Sequence, residues 1–473
     1  VLGEDAAKSA DYQQQQSQHL IRAYALPTGV ARYDTTAFNV YHDPKAETET
    51  AGLLSFGYSK DHRPDLLQYK LGVSTLDPAG IPILAHVLDG NCADDPLYIT
   101  AWRETCATLG HSEFLFVADC KASALETRVT LAAEGGHYLF PQTMTGDVPG
   151  LLASWVADPP EALQPIVLDA AEEPKPIGQG FVVERTLTAT TESGRQHTWT
   201  ERWLVTQSDA HAQREEQRLH ARLAKAEHKW QRMRAKAEET AAEFLARAQR
   251  VAQQHHITDL FQITVTEDIT TRRRYLKRGR PGPNTPYEDV EERHLHLHVQ
   301  RDTDAIAQVE QLLGWRIYLT NVPAAQMSLA QATVYYRDQW LNERGYHRFK
   351  RGSLPALPLF LRIPERIKGL MLLLLVALQA LTLLEFVAQR ELARQGETLA
   401  GLVPGNPRMR TARPSAERLL VAFDYLHLLI TTSATHCEGH LVEPLSALQQ
   451  RILALLQLPE SIYRLAFSNG CAE

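Results

Sequence analysis

The chain has 473 residues, which is too long for one ordinary hydrophobic core, so two or three structural units are expected. Its hydrophobic content of 44% and charged content of 22% are typical of a soluble globular protein. The net charge of -7 excludes a globally basic nucleic-acid binder and leaves only local basic patches for that purpose. The five cysteines contain no CxxC pair, which excludes a zinc finger or disulfide framework and indicates a reducing cytoplasm.

The first segment, residues 1–24, is polar and rich in glutamine, and no signal peptide opens the chain. We expect it to be an N-terminal remnant or linker.

Residues 25–150 alternate between apolar strand-like runs and helix-like runs that are bounded by turn residues. Strands are predicted at 30–40, 52–58, 68–76, 81–88, 114–118 and 137–143, and helices at 98–110 and 121–136. Consecutive strands followed by alternating helix and strand favour an α/β fold with a mixed sheet flanked by helices.

Two aspartates lie on strand-like runs of this region. Asp34 lies in RYDTTAFNV, and Asp119 ends the apolar run FLFVAD. A carboxylate beside a buried strand needs a partner or a metal ion. Acids on central strands of one sheet can meet at the same edge, so we expect these two to lie together. For each acid alone, the alternative is a surface or capping carboxylate.

A third acid, Glu343, lies in YRDQWLNERGYHRFK (336–350), a stretch predicted to be helical with aromatic and basic residues around the acid. Magnesium prefers carboxylate oxygens, and two or three acids suffice when phosphates supply other ligands. Two such ions can activate water or a 3′-hydroxyl and stabilise the leaving oxygen. Asp34, Asp119 and Glu343 are therefore candidates for one Mg²⁺ or Mn²⁺ site that acts on nucleic acid.

The 224 positions between Asp119 and Glu343 are too many for a loop, so we predict an inserted α+β domain at 151–325. It contains strands near 180–190, 199–207, 291–300 and 315–321, a helix near 302–313, and a long charged helix at 209–254. That helix has an apolar stripe with alternating steps of four and three. Packing within its own domain and an inter-subunit coiled coil explain the stripe equally well. The stripe consists of Leu219, Leu223, Ala226, Trp230, Met233, Ala237 and Phe244.

The core is expected to resume at 326–400 and to be followed by C-terminal helices at 401–473. The apolar segment 369–384 is shorter than a membrane span needs and contains Gln379, which favours a buried core helix.

The chain resembles the DDE transposases of bacterial insertion sequences, in the branch with a β-rich insertion before the last acid. That branch has a signature of Tyr, two residues, Arg, three residues, Glu, six residues and Lys. Tyr336, Glu343 and Lys350 match it, and Gln339 replaces the arginine. YDTTAF, FLFVADC, FGYSKDHRPDL (56–66) and the tail 442–463 also resemble this family, so the likeness runs from about residue 25 to 463.

The resemblance implies a ribonuclease H-like mixed sheet interrupted by the insertion, with Asp34, Asp119 and Glu343 as catalytic and metal-binding residues. It implies Mg²⁺-dependent DNA cleavage and strand transfer by a homodimer on DNA ends, in a bacterial cytoplasm close to the nucleoid and without a membrane. Two alternatives remain open: a non-catalytic DNA-binding or assembly remnant, and a structure-selective nuclease on the same core.

DNA contacts are expected from two groups of residues. The first surrounds the signature and comprises Tyr336, Gln339, Arg344 and Lys350. The second lies in the insertion and comprises Trp315, Arg272, Arg273, Arg274, Lys277 and Arg278. Trp315 either stacks on an unpaired base or belongs to a strand core, and the basic run either binds phosphates or is a solvated charge run.

Overall fold

The computed structural model describes residues 5–41, 52–58, 63–94, 96–167, 175–236, 238–276, 278–283, 285–432, 436–441, 443–463 and 465–468. The chain is mixed α/β with a large mixed sheet and helices. It divides into two units, of which the first comprises Val1–Thr143, Glu184–Arg202 and Leu319–Glu473, and the second Met144–Val183 and Trp203–Tyr318.

The helices are α1 (Ala6–Tyr24), α2 (Leu97–Leu109), α3 (Leu125–Ala133), α4 (Val148–Ala157), α5 (Asp209–Arg232), α6 (Ala241–Gln254), α7 (Thr303–Gln311), α8 (Leu329–Arg337), α9 (Trp340–Lys350), α10 (Pro364–Gln395), α11 (Ala416–Val421) and α12 (Ala447–Leu455). The strands are β1 (Val30–Val40), β2 (Leu67–Leu76), β3 (Ile81–Asp89), β4 (Leu115–Val117), β5 (His137–Pro141), β6 (Gln164–Val167), β7 (Pro176–Thr190), β8 (Gln196–Ser208), β9 (Phe261–Tyr275), β10 (Tyr287–Arg301), β11 (Trp315–Thr320), β12 (Leu399–Ala400), β13 (Arg410–Thr411), β14 (Leu428–Thr432), β15 (His436–Leu441) and β16 (Leu465–Ser468).

The first five strands form a mixed sheet in the first unit, in the order β3-β2-β1-β4-β5. β1 pairs antiparallel with β2, and β2 with β3, whereas β1 pairs parallel with β4, and β4 with β5. The period-2 and fully apolar runs predicted these strands and helix α2 to within a few residues. Every residue of β2 is buried, so both faces of this sheet are covered.

The predicted strand at 52–58 does not form, and only an isolated bridge joins Ser55 to Gln68. Leu53 and Leu54 are nevertheless buried in the core that includes Phe38 and Tyr346. The apolar residues of this stretch are therefore used for packing rather than for a strand.

Helix α1 covers the edge strand β3, so the predicted N-terminal remnant or linker is a packed helix. The Ser17 hydroxyl donates to the Ile83 carbonyl at 2.5 Å, and the Ala85 N–H donates to Gln13 Oε1 at 2.9 Å. These bonds satisfy backbone groups that an edge strand otherwise exposes. The polar composition of residues 12–17 thus reflects recognition of a strand edge.

Helix α10 is the one helix among the described residues that is long and apolar enough to cross a membrane, and 61% of its most apolar window is buried inside the protein. Met371 and Leu378 belong to the same core as Phe38 and Tyr346. The buried Gln379 amide donates to the Pro82 carbonyl of β3 at 3.0 Å. The segment 369–384 is therefore packed as a core helix, as predicted, within a longer helix.

The charged run 209–254 forms two helices, so the prediction of one long helix is wrong. A new helix begins at a capping box: Thr240 and Glu243 exchange side-chain and backbone hydrogen bonds at the start of α6. Trp230 Nε1 donates to the Ala248 carbonyl at 3.0 Å, and the apolar stripe of α5 packs in one cluster with α6. The stripe thus packs within its own unit, which favours the first of the two predicted alternatives. Ala237 lies outside the described residues.

The second unit also contains a long two-stranded hairpin, β9–β10, whose register runs from Phe261↔Arg301 to Tyr275↔Tyr287. Its base packs through Ile263, Leu297 and Val299 against α5 and α6, and its outer half is exposed.

Two predictions about the C-terminal part need correction. The helix predicted at 336–350 is interrupted at Asp338 and Gln339, so Tyr336 ends in α8 and Glu343 lies in α9. The region 401–473, predicted as helical, also contains the three-stranded sheet β14-β15-β16. The strand-like residues in this tail were too few and too polar for a strong period-2 pattern.

Candidate active site at the ends of strands β1 and β4

Asp34 lies within β1, and Asp119 follows the neighbouring strand β4 by two residues. The parallel pairing of β1 and β4 ends at Arg32↔Val117, and each aspartate lies two residues further along its own chain. Adjacent strands are about 4.8 Å apart, so this pairing is compatible with the predicted meeting of the two acids, which stays a prediction.

The order of the strands makes this position a candidate ligand-binding site. From β1 the chain proceeds outward through β2 and β3, then returns to the other side of β1 as β4 and continues to β5. The point between β1 and β4 is thus where the strand order reverses. In open α/β sheets, ligands bind in the crevice outside the carboxyl ends of the strands at such a point.

The Asp34 carboxylate is partly exposed, and one of its oxygens accepts a hydrogen bond from the Thr35 N–H at 2.7 Å. Its backbone carbonyl accepts the hydroxyl of Tyr346 from α9 at 2.5 Å. Burial raises the pKa of the Tyr346 hydroxyl well above its ordinary value, and the charge of Asp34 raises it further. The neutral Tyr346 hydroxyl therefore fixes α9 against the strand that holds Asp34.

Asp119 is held by groups from two elements. Its Oδ1 accepts the Tyr98 hydroxyl of α2 at 2.5 Å and the Lys121 N–H at 3.1 Å, and it caps the short turn Cys120–Ser123. Burial raises the pKa of the Tyr98 hydroxyl far above its ordinary value, and the charges of Asp119, Asp94 and Asp34 add to this. The neutral Tyr98 hydroxyl therefore acts as a donor that orients the Asp119 carboxylate.

Glu343 lies on the exposed side of α9. Its neighbours around the helix contact the sheet: the Thr75 hydroxyl donates to Asn342 Oδ1 at 2.5 Å, and the Tyr346 hydroxyl donates to the Asp34 carbonyl. Among the residues that the structure describes, no three Asp, Glu, His or Cys side chains are grouped closely enough to hold a metal ion. The structure therefore places Asp34 and Asp119 on neighbouring segments of one sheet and Glu343 on the exposed surface of α9, one turn from the residue that contacts Asp34.

The donors at this position are of the kind that Mg²⁺ and Mn²⁺ prefer. Asp34 and Asp119 supply carboxylate oxygens on adjacent strands, and each carboxylate is oriented by a hydrogen-bond donor, as metal ligands usually are. The residues present therefore fit a divalent cation whose remaining ligands come from water and phosphate.

The residues in and around the signature differ in their exposure and in their contacts within the protein. Tyr336 is partly exposed at the end of α8, and the Lys350 ammonium lies 5.5 Å from the centre of the Phe38 ring. Arg344 forms an ion pair with the fully buried Glu385 at 2.9 Å and also lies over the Trp340 ring. Much of the Arg344 guanidinium is therefore used inside the protein.

Gln339 contacts a residue that the sequence did not single out. Arg32, which is fully buried on β1, forms two hydrogen bonds of 2.6 Å with Asp77 and a third of 2.6 Å with the Tyr335 carbonyl. Its Nη1 also lies 3.5 Å from Gln339 Oε1. This guanidinium joins the strand of Asp34 to the α8–α9 turn, so a positive charge already stands beside the position where the family signature has an arginine.

In the second unit, Trp315 is partly exposed and its ring contacts that of Phe181 with centroids 6.0 Å apart. This contact supports the strand-core alternative for one side of the ring and leaves the other side accessible.

Three arginines of the predicted basic run, Arg272, Arg273 and Arg274, lie on strand β9 opposite acids of β10, and Arg278 lies beyond the end of this strand. Arg274 pairs with Glu288 at 2.8 Å, and Arg272 pairs with Glu292 at 3.3 Å. Arg273 lies 3.9 Å from Asp289 and also stacks on Tyr287. Lys277 lies outside the described residues. In the described part of the hairpin, Arg278 and Arg280 have no ion pair with a carboxylate, so they are the arginines best placed for an external phosphate.

Comparison with protein-family models and with curated proteins gives no match to this chain.

Proposed function

We propose that this protein is a metal-dependent DNA transposase with a ribonuclease H-like core, in which Asp34 and Asp119 bind the catalytic cations. The observation that carries the proposal is the placement of two aspartates, each two residues beyond the last pair of β1 and β4, where the strand order reverses. The order β3-β2-β1-β4-β5, with its first three strands antiparallel, supports the core that the family resemblance implies.

In this proposal, Asp34 and Asp119 would hold Mg²⁺ from the sheet. The ion, when bound, would supply polarisation of the phosphodiester and activation of the attacking water or 3′-hydroxyl. The Tyr98 hydroxyl donates to one oxygen of Asp119 and the Thr35 N–H to one oxygen of Asp34, so each carboxylate is oriented by a donor. Glu343 of α9, one turn before Tyr346, would be the third acid of this site, although in the described part of the chain it is exposed and not grouped with both aspartates.

The reaction has two steps of the same kind. In the first, a water oxygen forms a bond to phosphorus at the end of the element, the bond to the 3′-oxygen breaks, and a free 3′-hydroxyl results. In the second, that hydroxyl attacks a phosphodiester of target DNA, and the target's own 3′-oxygen leaves. Tyr336 and Lys350 contact the backbone of the strand that is cut, and Arg278 contributes a phosphate contact from the second unit.

Nicking of supercoiled plasmid DNA in Mg²⁺ or Mn²⁺ tests the proposal. The Asp34→Asn variant removes the charge with little change of shape, and we expect it to abolish nicking while the unfolding midpoint stays close to that of the wild type. Asp89→Asn is the matched control, because Asp89 also ends a strand of this sheet but is exposed and lies on the edge strand β3. Nicking that persists in Asp34→Asn would refute the role of this acid.

A strand-transfer assay with a 3′-hydroxyl oligonucleotide separates the proposal from its alternatives. Joining of the oligonucleotide to plasmid supports a transposase. Nicking without joining would favour a structure-selective nuclease, and DNA binding without either reaction would favour a non-catalytic remnant.

A further inference from the structure

The segment 351–363, which joins α9 to α10, presents an aromatic ring to solvent, and we call it the Phe360 loop. The side chain of Phe360 is 83% exposed, and Ile363, three residues later, is 46% exposed. Single exposed apolar residues are common on protein surfaces. What distinguishes this ring is how the chain holds it and which charges accompany it.

The neighbours of Phe360 hold it in its exposed position. Leu359 is buried and Leu361 is partly buried, and both pack in the core between the sheet and α10. Burial therefore alternates along the loop, with Leu359 and Leu361 inside and Phe360 and Arg362 outside. This is the pattern of an extended segment that lies with one side on a core. Packing of the two leucines thus directs the ring and the guanidinium to the same outer side.

Positive charge without an internal partner accompanies this ring. Four basic residues and one acid, Glu365, lie between positions 351 and 368. All four basic residues are exposed, and within the described part of the chain none of their side chains has an ion pair, a hydrogen bond or a ring contact. Arg344 of α9 differs, because Glu385 compensates its charge. The four residues are Arg351, Arg362, Arg366 and Lys368. Their excess of positive charge is therefore available to an external anion.

An exposed ring beside unpaired cations matches the chemistry of an unpaired nucleic-acid strand, whose bases stack on aromatic side chains while basic side chains contact its phosphates. A duplex keeps the faces of its bases stacked inside, and a membrane surface calls for a broad apolar face, whereas Arg362 separates the two exposed apolar side chains here. We propose that the Phe360 loop binds single-stranded nucleic acid, with a base on Phe360 and phosphates on Arg362 and Arg366. The choice of DNA as that strand rests on the proposed function, and the binding itself does not.

Binding of a fluorescent oligothymidylate in EDTA, measured by anisotropy at several salt concentrations, tests the inference without catalysis. We expect Phe360→Ala to raise Kd at least about fivefold, the effect of one lost base stack, and to leave the slope of log K against log salt unchanged. Phe360→Trp keeps an aromatic face and is expected to bind like the wild type. Arg362→Gln should lower the magnitude of the slope by about 0.7, the contribution of one phosphate contact in a single strand. Tyr425→Ala is the matched control, because this ring is 87% exposed elsewhere in the same unit, and it should change neither quantity.

The outcomes separate this inference from the proposed function. Wild-type affinity in Phe360→Ala, or an equal loss in Tyr425→Ala, would overturn the strand-binding role of the loop, whether or not the protein cuts DNA. A loss confined to Phe360→Ala, together with no metal-dependent nicking by the wild type, would support the loop and refute the transposase. Binding to phosphatidylglycerol vesicles that depends on Phe360, without binding of the oligonucleotide, would overturn the inference and assign the loop to a membrane surface.

Discussion

Placing the arginine of the family signature at position 339 is expected to lower the stability of this protein. From the family resemblance alone, Gln339→Arg would be expected to strengthen a phosphate contact. In the structure, however, the neighbourhood of Gln339 already contains the buried guanidinium of Arg32, whose Nη1 lies 3.5 Å from the Gln339 amide oxygen. A second guanidinium would replace an attraction with a repulsion.

The size of the effect follows from the distance. Two like charges about 4 Å apart repel by about 4 kcal/mol at an effective dielectric constant of about 20. Asp77 already compensates the charge of Arg32, and the longer side chain can turn toward solvent, so only part of this repulsion remains. We expect Gln339→Arg to lower the free energy of unfolding by about 1–2 kcal/mol.

Urea unfolding and plasmid nicking measure the two consequences. Gln339→Ala removes the amide without adding charge and serves as the control, with an expected loss of about 1 kcal/mol or less. Gln339→Glu places an opposite charge beside Arg32 and is expected to be tolerated better than the arginine. A Gln339→Arg variant that is as stable as the wild type and nicks DNA faster would refute the role assigned to Arg32.

Three further predictions concern charged groups elsewhere in the chain. Glu385→Ala removes the carboxylate shared by the buried Arg348, which keeps Glu417, and the partly exposed Arg344. It should lower the free energy of unfolding by about 3 kcal/mol in a urea titration. The pKa of the Asp94 carboxyl is lower in the folded state than its ordinary value of 3.8, so its ionised form stabilises the fold above that pH. This contribution is lost as the pH falls through the folded-state pKa. The difference in unfolding free energy between the wild type and Asp94→Asn should therefore be constant from pH 5 to 7 and become smaller below about pH 4. Arg278→Gln and Arg280→Gln should each lower the slope of log K for DNA binding against log salt concentration by about 0.9. Arg274→Gln should lower this slope less, because Arg274 is already paired with Glu288 on the opposite strand. Equal effects at all three positions would contradict this interpretation of the hairpin.

The sheet of the first unit could be predicted from sequence because its signals are local. The alternation in RYDTTAFNV and the apolar run FLFVA each identify a strand without reference to the rest of the chain. The prediction that Asp34 and Asp119 meet was made by placing both on central strands of one sheet, and the pairing of β1 with β4 is compatible with it. The helix break before Ala241 was also readable, since Thr240 and Glu243 have the spacing of a capping box, but the absence of glycine and proline in this run favoured a continuous helix.

Contacts between distant residues could not be predicted in this way. Arg32 and Asp77 are 45 positions apart, and Lys70 and Asp94 are 24 apart, so no periodic pattern connects them. The same holds for the arginines of β9 and the acids of β10, whose pairing depends on the register of the hairpin. The role of α1 was hidden for a different reason, because its glutamine and serine residues bind a strand edge and give no apolar stripe.

Titration of Mn²⁺, followed by the electron paramagnetic resonance signal of the free ion, tests most directly whether Asp34 and Asp119 form a cation site. We expect the wild type to bind Mn²⁺, and Asp34→Asn and Asp119→Asn each to bind it at least about tenfold more weakly, because each loses a ligand. Asp89→Asn should bind like the wild type. Equal Mn²⁺ affinity in the wild type and in both Asp34→Asn and Asp119→Asn would contradict a metal site at the ends of β1 and β4.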